Sequence, residues 1–471
     1  MAAGPSSADG SPKRSDTASD YGRGAALLTA GIGVTGLVTF AYLSLASHKL
    51  STTEYGQIGL LWSAVFLITP IFYRPIEQLL ARTIAERRAR DQDLREPLKI
   101  AALIQLALGA VFAALALIFQ NRLINHLFHG NETLYWIMFA SVIAYAVSYF
   151  GRGLLAGNQR FGLYGLLVLI ESLVRFMFPL AVVLGITSGQ DAIALGILAG
   201  PVISLFVVPL ALLGRQRSAH DATVDTRSPA EIAEAVVEEE QVIDAAAGGG
   251  GMETGGDFTL AEGGGFALAA LVIMACEQTI LNAAPFIANN DAGSAAAAYV
   301  INILIIARAP MQLFQSVATS LLPHLSKLHA ADDFKTYRHS VRVTLGAIAG
   351  FAGISALVMA AVGPDLMKIV FGDQYVYGRV GLVAITVGMG VYLCAATLNQ
   401  TALAAKRTGT AVGCWVAATA FFIVWMFLPI IDSPLHRVEI GYPLSALILF
   451  ISLFTLYEIS TPKPAQAPVA S

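Results

Sequence analysis

Residues 162–184 read GLYGLLVLIESLVRFMFPLAVVL, an unbroken apolar run carrying only Glu171 and Arg175 as charges. A helix of that length rises about 35 Å, enough to cross the roughly 30 Å hydrocarbon core of a bilayer. Similar segments recur at 25–47, 57–80, 98–119 and 134–155 before it and at 192–213 after it. A second block of six follows at 264–288, 295–322, 341–362, 379–401, 411–431 and 438–458. An unpaired backbone amide in hydrocarbon costs several kcal/mol, so a chain crosses it as helices or as a closed barrel. Segments this long and continuous are helices. The expected fold is all-α, about twelve transmembrane helices in two six-helix, pseudo-symmetric lobes.

Composition agrees. Hydrophobic residues make up 56% of the chain and charged residues 13%, about half the charged fraction of a soluble domain. Cys276, Cys394 and Cys414 all fall in apolar segments, where cysteine acts as a small hydrophobe and builds no disulfide framework. Residues 1–22 and 460–471 read as polar or Pro/Ala-rich tails. Residues 215–262 form the one long polar stretch, an acidic and then glycine-rich linker between lobes at 23–214 and 263–459. Within it, Ser228-Pro229-Ala230-Glu231 has the form of a helix start.

Charge sets the orientation. With the N-terminus in the cytoplasm, roughly twenty Lys and Arg fall on the inner side. The outer side keeps Lys49, Arg122, Lys368, Arg379 and Arg437. The expectation is a multi-pass protein of the cytoplasmic membrane with both termini inside. Residues 82–96 (RTIAERRARDQDLRE) continue the second span as a charged helix on that inner face, within reach of anionic headgroups.

The halves echo one another. Arg74-Pro75-Ile76-Glu77-Gln78-Leu79 in the second span and Arg308-Ala309-Pro310-Met311-Gln312-Leu313 in the eighth both read Arg-x-x-x-Gln-Leu. LLAGNQRFGLYG (154–165) and ALAAKRTGTAVG (402–413) make a second, looser pair. Six spans per repeat make the halves parallel, related by an axis along the membrane normal, and the seam between them is the expected cavity.

Charges inside spans are costly and normally face protein or water. They are Arg74 and Glu77 in the second span, Glu171 and Arg175 in the fifth, Glu277 in the seventh and Arg308 in the eighth. Arg152 stands near the inner end of the fourth. Glu171 and Arg175, four apart, suit an ion pair as well as a cavity role, and Arg74 with Glu77 suits the same. Arg308 has no acid within a turn and needs a partner from another helix or a ligand. Glu277 is placed to pair with Arg308 or to carry a proton. An arginine-rich chamber suits an anion, because the guanidinium fork matches phosphate oxygens. Prolines 75, 179, 201, 209, 285 and 310 lie in or at the ends of spans, where they kink helices.

The chain lacks a Walker A loop, CxxC and HExxH, and its eight histidines show no ligand spacing. Neither an enzyme, a cofactor, a metal nor a nucleic-acid partner is expected.

Leu50-Ser51-Thr52-Thr53-Glu54-Tyr55-Gly56 resembles the LS-x-x-E-Y-G opening of Wzx-type polysaccharide exporters. These belong to the multidrug/oligosaccharidyl-lipid/polysaccharide (MOP) flippase superfamily. Arg152-Gly153-Leu154-Leu155-Ala156-Gly157, Arg160-Phe161-Gly162-Leu163-Tyr164, Glu171-Ser172-Leu173-Val174-Arg175 and Leu321-Leu322-Pro323-His324-Leu325-Ser326 extend the likeness. The resemblance implies two lobes around a cavity that faces each side in turn. It also implies a cargo of oligosaccharide on a polyprenyl diphosphate, moved from the inner to the outer leaflet. Polysaccharide polymerase or ligase proteins are the partners it implies, beside membrane lipids. The long linker is not a standard element of the family, and the two extra spans of the lipid II branch are missing. On this reading Arg74, Arg175 and Arg308 hold the diphosphate, and Gln78, Gln312, Asn282, Asn399 and Gln400 bond sugar hydroxyls. Glu77, Glu171 and Glu277 carry charge coupling, and Arg152 serves as an inner gate. Two other readings stay open: an ion-coupled small-molecule antiporter, and a non-transporting scaffold of a polysaccharide-assembly complex.

Overall fold

The computed structural model describes residues 33–90, 92–209, 260–330, 334–405 and 407–460, with the backbone alone for 89, 260–267, 309–330 and 404. The expectations for residues 1–22, for the linker at 215–259 and its Ser228 helix start, for 461–471 and for the side chain of Gln312 lie outside the described residues.

Twelve long helices stand among the described residues, and no strand does. The first half is α1 (33–49), α2 (Thr52–Ala89), α3 (Arg95–Ile118), α4 (Glu132–Gly157), α5 (Phe161–Val183) and α6 (Gln190–Ser204). The second half is α7 (Leu260–Asn282), α8 (Ala284–Ala330), α9 (Phe334–Phe371), α10 (Arg379–Ala404), α11 (Thr408–Phe427) and α12 (Pro434–Ser460). Ten stretches are long and apolar enough to cross a membrane; one of them, Leu268–Arg308, takes in both α7 and the start of α8. The outer helices α3 and α9 turn Leu103, Leu106, Ile118, Ile354, Leu357 and Ile369 outward, the surface a helix presents to lipid.

Local chemistry sets the boundaries. Ser51 caps α2 in a capping box: Glu54 N donates to its Oγ (3.3 Å), and the Ser51 N–H donates to Glu54 Oε2 (3.0 Å). The 282–288 stretch expected to finish the seventh span does not continue α7. Pro285 has no N–H to give and its ring crowds the carbonyl four residues back, so the helix breaks at Ala283. A second break at Gly293 (φ 79°) splits α8 into a short piece, 284–292, and the long helix beyond it. That left-handed turn suits glycine because it has no Cβ to clash. α6 ends at Ser204, and the chain turns at 205–206 before a last helical stretch at 207–209; the rest of the expected span, 210–213, lies outside the described residues. The charged extension of α2 runs to Ala89, short of the expected 96, since residues 92–94 are non-helical and α3 begins at Arg95; within it Glu86 bonds Arg82 (2.7 Å) on the preceding turn.

Glycine pairs let helices touch. In α4, Gly153 and Gly157 are spaced as G-x-x-x-G, and a Cβ on either would sit 2.9 Å from Glu77 O or 2.7 Å from Ala81 O of α2. Gly196 and Gly200 repeat the device in α6, against the carbonyls of Arg175 and Glu171 in α5, each at 2.8 Å. Both contacts pin backbone that carries an intramembrane charge. The halves meet where α2 packs along α7 and α8.

Candidate functional site

The end of the bundle carrying Leu50, Ser51, the 284–292 piece and the loop 372–378 is here the loop end; the opposite one is the linker end. At the loop end the halves are joined by five hydrogen bonds. Tyr55 Oη donates to Asn302 Oδ1 (2.7 Å), Ser44 Oγ to Val370 O (2.5 Å) and Gln374 Nε2 to Ser47 O (2.9 Å). Asn289 Nδ2 donates to His126 O (3.1 Å), and its Oδ1 lies 3.0 Å from His129 Nε2. The rings of Tyr55 and Tyr375 meet edge-on at 5.9 Å and those of Phe40 and Phe371 at 6.0 Å. Gly56 abuts Ser294, where a Cβ would lie 1.8 Å from the carbonyl oxygen. The 50–56 stretch thus has a physical job at every marked position: Leu50 is buried, Ser51 and Glu54 cap α2, Tyr55 bonds across the seam and Gly56 permits contact. In the 372–378 loop, burial pushes the Tyr375 and Tyr377 phenols above their ordinary range, so this seal stays uncharged.

Deeper in the first half, Glu171 of α5 is the centre of a buried network. It accepts from Arg152 Nη2 (2.5 Å), Arg175 Nη2 (2.8 Å) and Tyr145 Oη (2.6 Å), and Arg175 also donates to Tyr145 Oη (2.6 Å). The Arg175 guanidinium lies 5.0 Å from the Trp62 ring centroid and 5.3 Å from that of Phe66, and Arg152 lies 4.7 Å from Tyr149. Glu171 and Arg175 are each 4% exposed, so Arg175 is spent on internal partners. Glu77 of α2 is also buried and accepts from Tyr164 Oη (2.9 Å). The expected alternative of an ion pair therefore describes Glu171 with Arg175, and Arg152 joins it. It does not describe Arg74 and Glu77, between which no bond forms among the described residues.

In the second half, Glu277 of α7 accepts from Tyr392 Oη of α10 (3.1 Å), not from Arg308. Arg308 of α8 donates to Asn282 Oδ1 of α7 (3.3 Å), and Asn282 in turn donates to Gln278 Oε1 (3.1 Å). This is the partner from another helix that Arg308 was expected to need, though it is neutral. Its Nε is buried and unbonded, as are Gln78 Nε2 and Gln400 Oε1. Asn399 Oδ1 is taken by Trp415 Nε1 (3.0 Å).

Arg74, Glu277 and Arg308 are half-buried, and they stand on the three seam helices α2, α7 and α8. Arg74 makes no hydrogen bond or ion pair among the described residues, yet its charge reaches both Glu77 and, across the seam, Glu277. The structure thus brings Arg74 within electrostatic reach of Glu277 across the seam, joins Arg308 to Asn282 within the second half, and gathers Arg152, Glu171 and Arg175 in the first half, with Arg152 also acting on Glu77.

The sequence reading missed the tyrosines. Tyr145, Tyr164 and Tyr392 each donate to a buried or half-buried glutamate, and Tyr442 of α12 and Tyr392 stand within electrostatic reach of Arg308. Their signal lies in spacing: Tyr145, Tyr149 and Arg152 recur at four and three residues, one face of a helix.

Among known families, the one described as "Polysaccharide biosynthesis protein" matches residues 21–223, essentially the first half. No curated protein matches the chain. The fold is that of solved MOP-superfamily transporters. A mutant of the Vibrio cholerae MATE transporter VcmN superposes with a TM-score of 0.59 at 14% identity, covering 94% of this chain and 98% of that one. An inward-facing multidrug resistance MATE family transporter of the MOP superfamily gives a TM-score of 0.64 at 10% identity, covering 92% and 98%. A MOP-superfamily transporter from Pyrococcus furiosus, reported to have a binding pocket of reversed polarity, gives 0.56 at 12%, covering 94% and 97%. Leu50–Gly56 and the motifs from Arg152 to Arg175 lie within the matched residues, Leu321–Ser326 lies outside them, and the fold agrees with the resemblance. The chain is a multi-pass membrane protein with the fold of these solved structures.

Proposed function

We propose that this protein is a flippase carrying a polyprenyl-diphosphate-linked oligosaccharide from the inner to the outer leaflet by alternating access. The observation that carries the reading is the half-buried set Arg74, Glu277 and Arg308 on the seam helices, beneath a loop end already sealed by cross-half contacts. A site sealed at one end and holding unneutralised arginine suits an anionic headgroup entering from the other. Arg308 offers the clearest anchor: among the described residues it bonds a neutral amide, and its Nε is buried and unbonded, so an arriving phosphate oxygen supplies the missing acceptor. Arg74, with no hydrogen bond or ion pair among the described residues, takes the second phosphate. Gln78 and Gln400 present amides toward the glycan, and Asn282, bonded to Arg308 and Gln278, positions the anchor arginine. Asn399 is occupied by Trp415 and Arg175 by Glu171 and Tyr145, so both support the fold around the cargo and do not clasp it. Lipid tails stay outside the seam, where the exposed apolar faces meet the bilayer. Depleting the protein and measuring lipid-linked oligosaccharide by leaflet tests the reading. Precursor stranded on the inner leaflet, rescued by the intact chain and not by Arg308→Ala, is expected. Unaltered distribution, with drug efflux gained on overexpression, would instead indicate small-molecule antiport.

A further inference from the structure

A cavity lies at the loop end between α2, α3, α4 and the 284–292 piece. It has a volume of about 730 Å³, within the range of small-ligand sites. Ala64, Leu67 and Phe72 of α2, Phe112 and Leu115 of α3 and Met138 of α4 make its walls. Leu115 and Phe119 are each about half exposed (47% and 48%) on the outward face of α3, so the cavity opens sideways toward lipid and not into water. Its rim is polar: Arg122, His126, Asn289 and Asn290. Arg122 follows directly after the membrane-spanning length of α3, at headgroup height, and is exposed with no hydrogen bond or ion pair among the described residues.

We propose that this cavity is a phospholipid site, holding one acyl chain in its apolar interior with the headgroup phosphate on Arg122 and the rim amides. An apolar chamber open to hydrocarbon at one side and capped by an unpaired guanidinium matches the two parts of an anionic lipid. The occupant is bilayer lipid and not the cargo's polyprenyl chain, because Arg122 stands at the loop-end surface while Arg74 and Arg308 lie deeper on the seam helices. The site also has a consequence for motion. Phe286, Asn289 and Asn290 belong to the second half and the remaining wall to the first. The Asn289 bonds to His126 and His129 hold that wall together. A lipid seated there favours the sealed loop end and must leave, or lose its contacts to Phe286, Asn289 and Asn290, when the halves part.

The full chain is reconstituted in phosphatidylcholine vesicles containing phosphatidylglycerol with a diazirine in one acyl chain, and crosslinks are mapped by peptide mass spectrometry. Labelling is expected to concentrate in residues 112–127. Arg122→Glu should cut it about fivefold, the factor an interfacial cationic contact contributes. Leu67→Trp, which fills the chamber, should cut it comparably while leaving labelling at Leu103 and Leu106 unchanged. Arg122→Gln, a surface change with no packing consequence, should lie between and stands in should Leu67→Trp fail to insert. Labelling spread evenly along α3 and indifferent to the Arg122 substitutions overturns the proposal. So does equal labelling by the phosphatidylcholine probe, or displacement by equimolar polyprenyl phosphate, which would assign the cavity to the cargo's tail.

Discussion

Replacing Gly56 with alanine should push the protein out of the conformation described here. The new Cβ would stand 1.8 Å from Ser294 O and 2.5 Å from its carbonyl carbon. Both atoms are backbone, so no rotamer relieves the clash, and α2 must move away from α8 by roughly 1.5 Å to restore ordinary contact. Tyr55 is the adjacent residue, so the same movement stretches its 2.7 Å bond to Asn302 beyond hydrogen-bonding range. Overpacking costs about 1–3 kcal/mol and the lost bond roughly 1 kcal/mol more. At 1.4 kcal/mol per factor of ten, the ratio of sealed to open loop end should fall about 30- to 700-fold. Spin labels at Lys49 and Asp373, both exposed and on opposite halves, report this by pulsed dipolar distances after Cys276, Cys394 and Cys414 are replaced. The wild-type short distance should give way to a longer one, and transport should fall because the sealed state is depleted. Gly353→Ala is the control, since a Cβ there meets nothing within 4 Å. A folded, membrane-inserted Gly56→Ala protein with the wild-type distance distribution would refute the argument.

Glu171→Gln should leave Arg152 and Arg175 as buried, uncompensated charges and lower stability by about 3–5 kcal/mol, read as a large drop in the thermal unfolding midpoint in detergent. Gly200→Ala would set a Cβ 2.8 Å from Glu171 O; it should cost about 1–3 kcal/mol in the same assay, and its effect should be less than additive with Glu171→Gln because both act on one contact. Ser51→Ala removes the cap of α2 and should cost about 1 kcal/mol, measurable as faster hydrogen exchange at residues 52–55. Arg308→Ala and Arg74→Ala should insert normally and abolish flipping, whereas Asn399→Ala should lose stability through Trp415 before it loses transport.

Much of this was legible in the chain. Continuous apolar length decided helices over strands and a bilayer over water, because no other backbone arrangement satisfies its amides in hydrocarbon. Twelve such runs gave the six-plus-six order, which the helices reproduce to within several residues at most ends. Ends are misjudged in two ways: α2, α8 and α9 run up to nine residues past the apolar stretch, because a helix continues beyond the hydrocarbon, and Pro285 and Gly293 divide what hydropathy alone reads as smooth. The two G-x-x-x-G pairs and the Ser51-x-x-Glu54 box were also readable, since each depends on residues only three or four apart.

The charges divide differently. Sequence alone identified most of the charged residues inside spans, though not the buried Glu439 of α12, because a charge's cost in hydrocarbon is a property of the side chain and its depth. Which of them are satisfied is a property of neighbours distant in the chain. Glu171 is neutralised by Arg152, 19 residues away, and supported by Tyr145, 26 residues away. Glu277 faces Tyr392, 115 residues on, and Arg308 meets Asn282. Only the packing of α4 on α5 and of α7 on α8 decided that Arg175 is neutralised by Glu171 while Arg308 meets a neutral amide. Short-range rules thus determined the helices, their count and the residues that must be accounted for. Tertiary contact, which alone brings donors to acceptors across the bundle, decided which charges are left over for a ligand.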